Sequence, residues 1–122
     1  MARSGMNRPV MIVSSEIGSD ANAPGAQATN TALAAIVAGA PGGYSVSIDG
    51  ARHFNFTDSA VAFSPVERLT GLLGTIDGVR GLQITSAYLG AFFDQTLKGR
   101  VSPLLLGASK GYPEVRVTSH SR

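Results

Sequence analysis

The apolar positions follow two different periods, and the breaks between them divide the chain into elements. Val10 to Val13 is a short continuous apolar run, with Pro9 before it and polar Ser14-Ser15-Glu16 after it. Such a run predicts a strand buried on both faces, as in a parallel sheet. Ile17 to Gly25 holds Gly18, Asn22, Pro24 and Gly25 and reads as a loop. From Thr29 to Ala38, Leu33, Ile36 and Val37 share one helical face and alanine fills much of the rest. Gly39-Ala40-Pro41-Gly42-Gly43 stops that helix. Tyr44-Ser45-Val46-Ser47-Ile48-Asp49 then alternates at period two and predicts a second strand. Two strands joined by a helix form a βαβ unit, so the second strand is expected to run parallel to the first.

Further along, Ser64-Pro65-Val66-Glu67 places Ser at N-cap, Pro at N1 and Glu at N3. That is a capping box, and the helix it opens carries Val66, Leu69, Leu72 and Leu73 as far as Gly74. A longer helix is predicted from about Asp77 to Lys98, with Val79, Leu82, Leu89, Phe92, Phe93 and Leu97 at helical spacing. Lys98 suits its last turn and Gly99 suits C′. The tail, residues 100–122, contains Pro103, Pro113 and the run Leu104-Leu105-Leu106. It is expected to be irregular and to fold back on the body. The fold class is α/β.

Composition narrows the function classes. The 122 residues are enough for one domain at most. Apolar content of 43% is enough for a core. The net charge is only +2, and Lys and Arg are scattered singly, which argues against a nucleic-acid partner. With no cysteine, neither a disulfide nor a thiolate metal site is possible. Two histidines far apart in sequence argue against a zinc site, and no cofactor is expected. Met1 to Pro9 lacks the apolar stretch of a signal peptide. No apolar run approaches the ~20 residues of a transmembrane span.

The main candidate for chemistry is His53, in Ala51-Arg52-His53-Phe54-Asn55-Phe56-Thr57-Asp58, just beyond the second strand. Open α/β sheets bind ligands at the carboxyl ends of their strands. A histidine there can take a proton from a serine hydroxyl and return it to the leaving group. The competing reading is an ordinary loop histidine. His120 reads as a tail residue. Four acids could orient His53: Asp49 and Asp58 nearby, and Glu16 and Asp20 after the first strand. Asp49 at a strand end and Asp58 in the loop read first as cap or turn residues, which leaves Glu16 and Asp20 as the weaker-marked candidates for the orienting acid. Phe54, Phe56 and Phe63 fit either an apolar acyl pocket or core packing. Gly107-Ala108-Ser109-Lys110-Gly111 matches G-x-S-x-G, but a nucleophile elbow needs a strand before it and a helix after it. Pro113 follows too soon, so a turn is expected. Asp20 to Gly25 begins like a calcium loop but fails at Pro24 and Thr31.

The segment Ile48 to Asp58 resembles the histidine loop of α/β-hydrolases related to platelet-activating-factor acetylhydrolase. So do the helix from Ile76-Asp77-Gly78-Val79-Arg80 to Gly99 and the closing Gly111-Tyr112-Pro113-Glu114-Val115. The strand ending Ser14-Ser15-Glu16 resembles the one these enzymes place before the histidine strand. The resemblance implies ester hydrolysis by a Ser-Asp-His triad with a backbone oxyanion hole. Of that triad only the histidine carries over, onto His53. The serine and the aspartate would precede Met1, so residues 1–122 are expected to be the C-terminal portion of an incomplete domain. The implied partners are a small-molecule or lipid ester and an N-terminal half that supplies the nucleophile. The alternative is a non-catalytic remnant or interaction module. A self-sufficient hydrolase using another serine with His53 ranks third.

Overall fold

The computed structural model describes residues 7–15, 26–51 and 75–120. Strand β1 (Val10–Ser15) leads to helix α1 (Ala26–Gly39) and strand β2 (Gly43–Ile48). Helix α2 (Gly78–Lys98), a 3-10 turn at Pro103–Leu106 and strand β3 (Val115–His120) follow. The sheet order is β1-β2-β3. β1 and β2 run parallel in a register that sets Val10 opposite Gly43 and Ser15 opposite Ile48. The expected parallel βαβ unit is therefore present, but β1 is the edge strand among the described residues, so Val10 to Ser14 are half-buried and not buried on both faces. α1 packs against both of its strands. The capped helix expected after Ser64 and the loop from Ile17 to Gly25 lie outside the described residues.

The tail departs from the irregular chain expected for residues 100–122. Val115 to His120 forms β3, antiparallel to β2, with Val115 opposite Ile48 and His120 opposite Gly43. The physical reason is an alternation of Val115 and Val117 with polar residues that starts two positions after Pro113. The ring therefore never occupies a ladder position. Val115 is buried and Val117 packs on the core, while Arg116 points outward. Leu105 is also buried, beside an exposed Leu106.

One face of the sheet carries the main core. Val46, Ile48 and Val115 meet Ile84, Tyr88, Ala91 and Phe92 of α2, with Leu105 closing the end. Phe92 meets Tyr44 of β2 edge to face at 6.3 Å. α2 starts at the N-cap Asp77, whose carboxylate accepts a hydrogen bond from the Arg80 amide, and ends at Gly99 in the left-handed conformation. Its length and end match the expectation, but its face does not. The buried positions are Gly78, Gly81, Ile84, Tyr88, Ala91 and Phe92. Of the six apolar positions that the spacing singled out, only Phe92 belongs to them. Val79, Leu82, Leu89, Phe93 and Leu97 are exposed. Two apolar stripes run along this helix, and periodicity cannot say which of them meets the sheet.

The other packing event is at the turn between α1 and β2. Val37 and Ala40 are fully buried, and Gly43 stands directly beneath Val37. A Cβ at position 43 would lie 2.0 Å from the Val37 carbonyl oxygen. This close approach lets β2 leave the helix without a longer loop.

Candidate functional site

β1 and β2 end level with each other, at Ser15 and Ile48. The chain segments that leave these two parallel strands therefore start on one edge of the sheet, where open α/β folds bind ligands. Glu16 is the next residue after β1, and His53 follows β2 by five positions. His53, Glu16, Asp20 and Asp58 lie outside the described residues, as do Phe54, Phe56 and Phe63.

The departure point from β2 is described in detail. The Asp49 amide donates to the Glu114 carbonyl oxygen at 2.7 Å, extending the β2–β3 ladder by one bond. The Asp49 carboxylate accepts from the Arg116 guanidinium at 3.3 Å. Of the four acids that could orient His53, Asp49 thus has a partner on the neighbouring strand. Gly50 adopts φ +78°, a left-handed turn, and Ala51 is buried directly after it. The Ile76 amide donates to the Gly50 carbonyl at 3.0 Å. Residues 50 and 76 therefore form a hydrogen-bonded base from which residues 52–74 depart and to which they return. This base fixes where the segment containing His53 begins.

Beside it lies a polar cluster that sequence reasoning missed. Arg80 of α2 donates to the Gly111 carbonyl at 2.6 Å and to Glu114 at 3.1 Å. Its guanidinium also sits 5.1 Å from the centroid of the Tyr112 ring. Tyr112 meets Tyr88 edge to face at 5.6 Å. The Tyr88 hydroxyl is buried with no hydrogen-bond partner among the described residues. Burial pushes its phenol above the ordinary value, and the nearby Tyr112 and Glu114 push it the same way. The cluster ties α2 to the approach of β3, a structural role. The sequence signal was only the polar run Gly111 to Glu114 ahead of an alternating segment.

The G-x-S-x-G match at Gly107 to Gly111 forms a turn, as expected. The Tyr112 amide donates to the Ser109 carbonyl at 3.2 Å, and the two residues form an isolated bridge. No helix follows Ser109, because the chain enters β3 at Val115. His120 ends β3 opposite Gly43. Among the described residues, no group of three or more acids and histidines is placed to hold a metal ion. Among the same residues, no helix is long and apolar enough to cross a membrane.

No family model matches the chain, and no curated protein matches it. Among solved structures, it is similar to a ferulic acid esterase from Streptomyces cinnamoneus, at 28% identity and a TM-score of 0.72. The alignment covers 95% of this chain and 35% of that one. The mixed three-stranded sheet and its two helices thus match part of an esterase fold, and the chain spans about a third of the length of that esterase.

Proposed function

We propose that this chain is the histidine-bearing part of a serine ester hydrolase, with His53 as general base. The observation that carries the reading is the likeness to an esterase over 95% of the chain. The hydrogen-bonded base at Gly50 and Ile76, on the edge of the sheet where β1 and β2 end, supports it. In this reading His53 takes the proton of a serine hydroxyl as the serine attacks an ester carbonyl. It then delivers that proton to the departing alkoxide, and in a second half-reaction it activates water. The serine, the triad aspartate and the oxyanion donors come from sequence outside this chain. Within the class, the resemblance of Ile48 to Asp58 to platelet-activating-factor acetylhydrolases favours a small or lipid ester as substrate.

The test is to express the open reading frame that contains this sequence, together with any adjacent gene product that carries a G-x-S-x-G elbow. Hydrolysis of p-nitrophenyl butyrate is then compared with that of the His53→Ala variant. A loss of roughly 10⁴-fold in kcat is expected, with the fold unchanged by circular dichroism. Near-normal turnover in the variant would remove His53 from the mechanism. A second reading, a non-catalytic interaction module, is favoured by the exposed apolar stripe on α2. Hydrolysis no faster than buffer from every frame containing the chain would put that reading first.

A further inference from the structure

Four contacts close a ring at the two ends of the segment that carries His53. The Asp49 amide donates to the Glu114 carbonyl oxygen at 2.7 Å. The Glu114 carboxylate accepts from the Arg80 guanidinium at 3.1 and 3.3 Å, through both of its oxygens. The Arg80 amide donates to the Asp77 carboxylate at 3.1 Å. The Ile76 amide donates to the Gly50 carbonyl oxygen at 3.0 Å. Gly50 follows Asp49 and Asp77 follows Ile76 in the chain, so the ring is continuous. The chain leaves it at Ala51 and returns at Thr75, and residues 52–74 lie between.

Three of the four contacts start from a backbone amide. The contact between Arg80 and Glu114 is made by two side chains, and it joins the first turn of α2 to the chain entering β3. Without it that turn can shift along the sheet about the core contacts of Ile84 and Tyr88, and the bond from Ile76 to Gly50 must absorb the shift. The Arg80 guanidinium is also held by the Gly111 carbonyl at 2.6 Å and by the Tyr112 ring, whose centroid is 5.1 Å away. A planar cation gripped on three sides keeps one orientation, which distinguishes it from a freely moving surface ion pair.

We infer that Arg80 is a positioning residue for His53: by bracing the first turn of α2 against Glu114, it fixes the two ends of the segment on which the base is carried. The inference rests on the esterase reading and gives Arg80 no contact with substrate. A misplacement of about 1 Å at a catalytic group costs up to roughly 100-fold in rate, so a brace remote from the chemistry leaves a kinetic signature.

The test uses the reading frame that contains this chain, expressed with its elbow-bearing half, and p-nitrophenyl butyrate as substrate, well below the unfolding temperature of every variant. Arg80→Ala should lower kcat about 10- to 100-fold and change KM by less than about twofold. Hydrogen exchange of the Ile76 amide, which reports the bond to Gly50, should quicken about 10-fold or more. Arg80→Lys keeps a cation for Glu114 and should bring kcat to within about threefold of the wild type, while recovering only part of the stability. Ile84→Val removes a buried methyl from the same helix and leaves the ring intact, so it should leave kcat unchanged. Wild-type kcat in Arg80→Ala overturns the inference. So does a lysine variant as slow as the alanine one, or an equal loss in Ile84→Val. A wild type that hydrolyses no faster than buffer removes the esterase reading instead. In that protein the Ile76 amide still decides whether Arg80 braces the two ends: faster exchange in Arg80→Ala sustains the brace, and unchanged exchange overturns it.

Discussion

Arg80 and Glu114 face each other at 3.1 Å, and this contact joins the first turn of α2 to the chain entering β3. The pair is about one-third exposed on both sides, so its ionic part is worth well under the value of a buried pair. Arg80 does more than pair. It donates to the Gly111 carbonyl and lies over Tyr112. Arg80→Ala should lower the unfolding free energy by about 1–2 kcal/mol, most of it from the charged hydrogen bond and the ring contact. Arg80→Lys should recover only part of that loss, since an ammonium cannot reach the carbonyl and the carboxylate while lying flat on the ring. Urea titration of the three proteins would check this. Full recovery by lysine would mean that charge alone is what matters.

Tyr88 is almost wholly buried, and its hydroxyl has no hydrogen-bond partner among the described residues. An unsatisfied buried hydroxyl costs about 1–3 kcal/mol, so Tyr88→Phe should stabilise the protein by about 1 kcal/mol while keeping the edge-to-face contact with Tyr112. The same substitution should act on pH dependence. Burial raises the folded phenol above its unfolded value of 10.0. In alkali the unfolded chain therefore releases this proton first. The contribution of Tyr88 is fully present below about pH 10 and is lost as pH rises through the folded value. Thermal unfolding between pH 8 and 11 should show a shallower alkaline decline in Tyr88→Phe than in the wild type. Parallel curves would exclude Tyr88 as the source of the decline.

The parallel βαβ unit and the C-terminal end of α2 were legible because local signals agree there: a continuous apolar run, period-two alternation, a Lys in the last turn and a Gly C′. Two features were not legible, for different reasons. Val115 and Val117 gave the alternation of β3, but the strand is short and stabilised by pairing with β2, a long-range contact that no local window contains. On α2, spacing alone promoted Val79, Leu82, Leu89, Phe93 and Leu97. The sheet instead took the face with Gly81, Ile84, Tyr88 and Ala91, where small residues allow close approach. At the candidate site, the turn at Gly50 is visible in sequence only as a glycine after a strand. Its bond to Ile76 spans a segment whose closure no motif announces. His53 was singled out from its place in the chain order, and that signal comes from sequence alone.

Gly43 sets how closely β2 can follow α1. An added Cβ would meet the Val37 carbonyl oxygen at 2.0 Å, and backbone cannot swing aside as a side-chain tip can. Gly43→Ala should therefore push the last turn of α1 off the sheet and cost about 3 kcal/mol or more. Gly90→Ala is the matching control, because it lies in a helix interior with open space around it. It should be stabilising by up to about 1 kcal/mol. Chemical denaturation of both variants separates loss of fit from any general effect of replacing glycine. Equal changes in the two would show that the contact with Val37 does not govern stability.

Gly50 holds the base from which the segment carrying His53 departs, and it does so under two constraints. Its φ of +78° disfavours any other residue, and a Cβ there would lie 2.9 Å from the Thr75 hydroxyl oxygen and 3.3 Å from the Ile76 nitrogen. The hydroxyl can rotate away, but the Ile76 amide is the donor that closes the base and cannot move without weakening that bond. Gly50→Ala should cost about 1–3 kcal/mol from conformational strain and contact together. Thr75→Ala should remove only the hydroxyl part of the clash. If steric contact dominates, the double variant Gly50→Ala, Thr75→Ala should recover much of the loss. If the left-handed conformation dominates, it should recover almost none. Unfolding free energies for the four proteins of this cycle give the coupling directly. A coupling near zero assigns the cost to backbone conformation and the Ile76 contact, not to the Thr75 hydroxyl. A coupling of about 1 kcal/mol or more assigns it to the close approach of residues 50 and 75 at the foot of the histidine segment.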